Sequence, residues 1–154
     1  MHFLETRIPP LMVAVLTLCL AVATDYCWLD GKPTDNVLLL ILCGLLLLPA
    51  VAIGWLSIRQ FARSNTTLNP VSPGHAKTVV STGVFARTRN PMYLALGLVV
   101  LATCACFVEW WSLVFVLIYG GYLTRFQIIP EERALEKKFG ESYREYRNKV
   151  RRWC

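Results

Sequence analysis

The sequence predicts an all-α, polytopic membrane protein with four transmembrane helices and short helices at its C-terminal, cytoplasmic end. Three observations carry this prediction. Of its 154 residues 55% are hydrophobic, with a mean hydropathy of +0.46, whereas soluble domains lie nearer about 45–50%. The apolar residues are gathered into four runs, with the charges set between them, as membrane spans require and a soluble core does not. The Lys and Arg residues collect on one side of those runs, which orients the spans. The length suits one domain, 1–154.

The first run, Ile8 to Thr24, predicts a span over about 8–24. Arg7 and the small residues Ala21-Val22-Ala23 resemble a secretory signal. Yet Pro9 and Pro10 open the run, Glu5 precedes it and a second run follows soon after, so it reads as a retained helix. The second run, Val37 to Trp55, contains no charge and predicts a span over about 37–57. The third, Met92 to Val108, follows Asn90-Pro91. Asn suits a helix cap and Pro the first helical position, so the span is set at about 91–108. The fourth, Trp110 to Thr124, reaches span length only if Arg125 snorkels and Phe126, Ile128 and Ile129 extend it to about 110–129. The turn at Val108-Glu109-Trp110 makes the third and fourth spans an antiparallel hairpin, with Trp110 and Trp111 at the outer interface.

Beyond the fourth run, Pro130-Glu131-Glu132 predicts the start of a new amphipathic helix, since Pro and acidic residues both favour a first turn. Leu135 and Phe139 share one face of it, and Gly140 ends it. Glu141 to Val150 predicts a second short helix, with Tyr143, Tyr146 and Val150 on one face.

Between residues 58 and 90 lie Arg59, Arg63, Lys77, Arg87 and Arg89, and the tail from Arg125 carries nine more bases. The loop between the first two spans holds only Lys32, against Asp25, Asp30 and Asp35. Both termini and the 58–90 segment are therefore placed in the cytoplasm. The formal net charge of +6 reads as an orientation signal and an attraction to anionic membrane lipids. It does not indicate nucleic-acid binding, because no basic module interleaved with aromatics accompanies it. The Lys/Arg run ending Arg151-Arg152-Trp153 reads as a lipid-facing anchor. Four of the six cysteines fall within spans, where Cys packs as a small hydrophobe. No pair has a metal-binding CxxC spacing.

The segment Ser64 to His75 is rich in Pro, Gly, Asn and Ser and reads as a loop. The β-branched stretch from Lys77 to Phe85 is too short to span, with Gly83 supplying a turn. The predicted hairpin brings Arg89-Asn90-Pro91-Met92-Tyr93 and Glu131-Glu132 to one membrane face. Two acids, an amide, an aromatic ring and bases at such a place suit a charged, flat cofactor. Carboxylates attract its amino group, and the N–H groups of a helix start receive its carboxylate.

These segments, with Phe139-Gly140, Tyr143 and Tyr146, resemble the isoprenylcysteine carboxyl methyltransferase and phospholipid methyltransferase superfamily of integral membrane enzymes. The resemblance covers about half the chain. It implies S-adenosylmethionine as cofactor and a lipophilic or lipid-modified acceptor. The family motif Arg-His-Pro-x-Tyr matches Arg89-Asn90-Pro91-Met92-Tyr93, with Asn in place of His. Asn hydrogen-bonds but does not titrate near neutral pH, so the resemblance implies a binding role and no catalytic base is assigned. It also implies cofactor contacts from Lys77, Thr78, Val79, Val80 and Phe85, and from Glu131 and Glu132, within a cofactor region over 64–93 and 127–154. Phe85 stands where Tyr is common. Some isoprenylcysteine enzymes carry Arg four residues before the acid; here that place is held by Gln127, with Arg125 two residues earlier, and both are candidates for acceptor binding. An isoprenylcysteine-like carboxyl methyltransferase is the first reading. A phospholipid or lipid-amine N-methyltransferase, an NADPH-dependent membrane reductase and a non-enzymatic adaptor are the rivals.

Overall fold

The computed structural model describes residues 5–28, 35–63, 78–107 and 113–154. Among them there is no β-strand. The helices are α1 (Pro10–Trp28), α2 (Val37–Arg63), α3 (Pro91–Phe107), α4 (Leu113–Leu123), α5 (Ile129–Phe139) and α6 (Glu141–Lys149). A 3₁₀ turn, Gly83–Ala86, precedes α3, and a π-helical turn, Thr124–Ile128, joins α4 to α5. The hairpin turn expected at Val108 to Trp110, the loop 64–75 and Lys77 lie outside the described residues.

Among the described residues, three helical stretches are long and apolar enough to cross a membrane: Pro10–Cys27, Val37–Arg63 and Leu113–Phe139. The apolar helix α3 has 17 residues and is shorter than these. Along α2 the apolar side chains point outward: Leu38 is 73% exposed, Leu48 70% and Val51 69%. Such a surface suits hydrocarbon and would be an aggregation liability in water.

The shorter α3 lies at the centre, against α1, α2 and α4. Its Val100 and Cys104 share a core with Val13, Ala14 and Ala21 of α1 and Tyr119 and Leu123 of α4. Small residues make the α2–α3 seam. Cys43, Ala50 and Ser57 are the buried positions of α2, spaced seven apart along the helix. Across from them Ala95 and Ala102 of α3 are buried. A Cβ added to Gly54 would meet the Ala95 Cβ at 3.7 Å, so the two backbones run close. Between apolar helices in lipid, this close packing replaces the hydrophobic drive that water would supply. Cys43 and Cys106, expected to act as small packing residues, are joined in a disulfide with their Cα atoms 6.4 Å apart.

The helix expected to end before Pro130 does not end there. Helix runs without a break from Leu113 through the π turn to Phe139. A proline inside a helix has no N–H for the carbonyl four residues back, here that of Phe126. The π turn absorbs the clash, and the N-terminal segment satisfies the carbonyl: the Thr6 N–H donates to Phe126 O at 2.9 Å. Glu5 beside it accepts from Arg125 at 3.1 Å and Arg133 at 2.9 Å. Desolvation pushes the Glu5 carboxyl up, but the two arginines outweigh it and hold its pKa below the ordinary value. Gly140 ends α5 as expected, at φ 55°, a conformation open to glycine at little steric cost. Arg144 and Arg147 then fold α6 back onto Glu136 at 2.9 and 2.7 Å.

Candidate active site

At the end of the bundle where α3 begins lies a cavity of about 560 Å³, a volume suited to a small organic ligand. Its wall has two kinds of surface. Pro9, Pro10 and Leu11 at the head of α1, and Ala50, Val51, Gly54, Ile58 and Phe61 of α2, make an apolar side. Arg89, Asn90, Glu131 and Glu132 make a polar end. Helices α1 and α2 both border the cavity, yet each packs chiefly on α3 rather than on the other.

Four bonds set the polar end. Tyr93, in the first turn of α3, donates its hydroxyl to Glu131 Oε1 at 2.6 Å. Gln127 Nε2 donates to the same oxygen at 2.7 Å. The π turn and α5 place Gln127 four residues before Glu131, which is what lets one side chain reach the other. Both donors fall on Oε1, so Oε2 remains to accept from a ligand. Glu132 lies 3.1 Å from Arg89 Nη1, but its two oxygens are engaged by Arg152, with Nε to Oε1 at 3.0 Å and Nη2 to Oε2 at 2.7 Å. The Arg89 side chain is only 10% exposed, and its Nε and Nη1 have no hydrogen-bond acceptor. The ion-pair distance is met while the bond angle is not. An Arg with open N–H groups in a cavity wall is suited to an anion.

The aromatic side is held from below. The Phe85 ring meets that of Phe61 edge to face at 5.0 Å. The Tyr146 hydroxyl donates to Phe85 O at 2.8 Å. Burial, with the Glu132 charge next, pushes the Tyr143 phenol up to about 12. Burial, then the neighbouring Tyr143, pushes Tyr146 higher. Both phenols therefore remain protonated donors at neutral pH.

Of the residues singled out from the sequence, Thr78, Val79, Val80, Phe85, Asn90, Pro91, Met92, Tyr93, Glu131 and Glu132 all border this one cavity. Lys77 lies outside the described residues. The two acceptor-binding candidates do not border it: Arg125 turns to Glu5, and Gln127 is buried beneath Glu131. Asn90 occupies the helix start, its carbonyl accepting from Leu94 N at 2.9 Å. Its side chain does not cap the helix, however, and Nδ2 donates to Arg152 O at 2.9 Å. Sequence reasoning missed the α2 wall and Arg152. The spacing of Cys43, Ala50 and Ser57 was a readable signal for the seam of α2 with α3 beside that wall. Arg152 was read as a lipid-facing anchor, and the structure corrects this, because its guanidinium turns inward onto Glu132.

Outward apolar helices, with a cavity at their end that is part hydrocarbon and part charge, define a membrane protein. The comparison with known families makes this more specific: residues 38–142 match the phospholipid methyltransferase family, and the chain belongs to it. That family is one of integral membrane methyltransferases. An uncharacterized protein of Haemophilus influenzae is 44% identical over 62 residues, which is 40% of this chain and 98% of that protein. No solved structure matches the chain.

Proposed function

We propose that the chain transfers a methyl group from S-adenosylmethionine to a lipophilic acceptor taken from the bilayer, and that the acceptor is a lipid amine. The observation that carries this reading is the single cavity in which Glu131 and Arg89 stand at one end of an otherwise apolar wall. The donor set fits the cofactor. Glu131 Oε2 suits its amino group, Arg89 and the first N–H groups of α3 suit its carboxylate, and Phe85 with Val79 and Val80 suits its adenine. When bound, S-adenosylmethionine supplies an electrophilic methyl on a sulfonium.

The protein's own part is alignment and exclusion of water. Ala50, Val51, Gly54 and Leu11 form a hydrocarbon surface on which an acyl chain can lie. An entry between α1 and α2 follows from their slight mutual packing. An amine acceptor arrives as an ammonium, is drawn by the acidic end, and must lose a proton before its lone pair attacks. That proton passes to water at the aqueous mouth of the cavity, since Glu131 Oε2 is taken by the cofactor's amino group in this reading. The family match favours the lipid amine over a prenylated cysteine carboxylate, and so do Arg125 and Gln127, which stand outside the wall where they were expected to receive that carboxylate. In this reading α3 completes a four-span arrangement, with both termini on the cytoplasmic side, where the cofactor is found.

The test is calorimetric binding of S-adenosylhomocysteine to the purified protein in detergent, followed by methyl transfer to phosphatidylethanolamine vesicles and to a farnesylated cysteine. Saturable binding that Glu131→Ala abolishes, with label passing to the vesicle lipid, is the expected result. A folded protein that binds no S-adenosylhomocysteine overturns the reading. Label on the farnesylated cysteine alone overturns the choice of acceptor.

A further inference from the structure

The residues after α6 do not leave the protein. The backbone turns extended at Val150, with φ −121° and ψ 132°, and passes back across the start of α3. Arg89 N donates to Arg151 O at 2.9 Å. Thr88 Oγ1 and Asn90 Nδ2 both donate to Arg152 O, at 3.1 and 2.9 Å. The Arg152 guanidinium forks onto both oxygens of Glu132. Trp153 then packs against the core shared by α1, α3 and α4. One residue thus grips both halves of the polar end, the 88–90 segment through its carbonyl and Glu132 through its side chain.

We propose that Arg152 is a positioning residue, and that the strap 150–153 sets the polar end for the cofactor by fixing Glu132 and the 88–90 segment relative to one another. This rests on the cofactor reading above. A bidentate Arg–carboxylate pair is strong and directional, so Arg152 fixes the orientation of the Glu132 carboxylate beside Arg89. Arg89 borders the cavity, while its Nε and Nη1 are buried and have no hydrogen-bond acceptor. Without the Arg152 fork, the nearest cation to Glu132 is Arg89, 3.1 Å away. The carboxylate is then free to turn onto Arg89, and the arrangement of charges proposed to receive the cofactor is lost. The strap also gives Asn90 a task that needs no titration: its amide is a donor to a backbone carbonyl, and it fixes the level at which α3 begins.

The experiment is S-adenosylhomocysteine calorimetry on the full chain in detergent, with thermal unfolding of each variant. Arg152→Gln removes the fork and keeps the backbone carbonyl. Arg151→Gln removes the same charge from an exposed neighbour. Arg152→Gln is expected to weaken binding roughly tenfold to a hundredfold, the scale of losing a hydrogen bond to a charged group. Arg152→Lys should recover part of the loss, and Arg151→Gln should bind as the unaltered protein does. In a Glu132→Gln background, Arg152→Gln should add no further loss, because the two act as one unit. Equal binding by Arg152→Gln, or losses that add in the double variant, overturn the proposal while leaving the cofactor reading intact. Absence of binding by the unaltered, folded protein overturns that reading and this proposal with it. Should Arg152→Gln not fold, Thr88→Val releases one strap bond at near-constant shape, together with the bond that Thr88 Oγ1 accepts from Asn90 N. It is then expected to weaken binding severalfold, and unchanged binding overturns the proposal.

Discussion

The two ends of the cavity are built by opposite means. The apolar side is made of α1 and α2 residues that need only be apolar, and its geometry follows from how each of these helices packs on α3. The polar end is made of side chains that each have an assigned partner: Tyr93 and Gln127 on one oxygen of Glu131, and Arg152 on both oxygens of Glu132. A change on the first side alters what fits. A change on the second leaves a buried charge or donor without its partner, which is far more damaging.

The largest effect expected from this contrast is at Glu132. Glu132→Ala leaves Arg89 and Arg152 without their shared anion, and removing one partner of a buried ion pair costs about 3–5 kcal/mol. A clear fall in the unfolding temperature, read by fluorescence in detergent, should accompany loss of S-adenosylhomocysteine binding. Glu131→Gln comes next. The isosteric amide keeps the shape beside Tyr93 but removes the charge, so binding should fall by about a hundredfold while the unfolding temperature changes little. An equal fall in unfolding temperature for the two variants would erase the distinction drawn between these acids.

Gly54→Trp sharpens the contrast from the other side. It fills the apolar wall, so transfer to lipid vesicles should fall at least tenfold with cofactor affinity retained. Gly54→Ala, whose Cβ would find ordinary contact at 3.7 Å, should pass nearly unnoticed. If Gly54→Trp costs cofactor affinity and not acceptor turnover, the two ends have been assigned the wrong way round. The smallest effect belongs to Glu5. Its folded pKa is lowered, so its stabilising contribution is fully present above the ordinary carboxylate value and fades as pH falls through the lowered one. Glu5→Gln should flatten that part of an acid-unfolding curve and leave the neutral region almost unchanged.

The helices were legible because apolar runs and charge placement are local properties of the chain. So were the two polar motifs, since Asn90-Pro91 and Pro130-Glu131-Glu132 are short and contiguous. Three features were not legible, each for a physical reason. The uninterrupted helix through Pro130 depends on an N–H supplied by Thr6, distant in sequence. The inward turn of Arg152 depends on an extended residue, Val150, redirecting the tail, and a basic tail looks the same whether it faces lipid or a buried acid. The Cys43–Cys106 pairing depends on the antiparallel register of α2 against α3, which hydrophobicity alone does not fix.

The bond between Thr6 and Phe126 bears on how the protein is assembled. Residue 6 leaves the ribosome long before residue 126, and a contact of such sequence separation closes late because a long loop must be gathered first. The head of α1 lines the cavity at Pro9, Pro10 and Leu11. The first wall to be synthesised is therefore among the last to be fixed, and the binding chamber takes its final form only once the last long helix has been inserted.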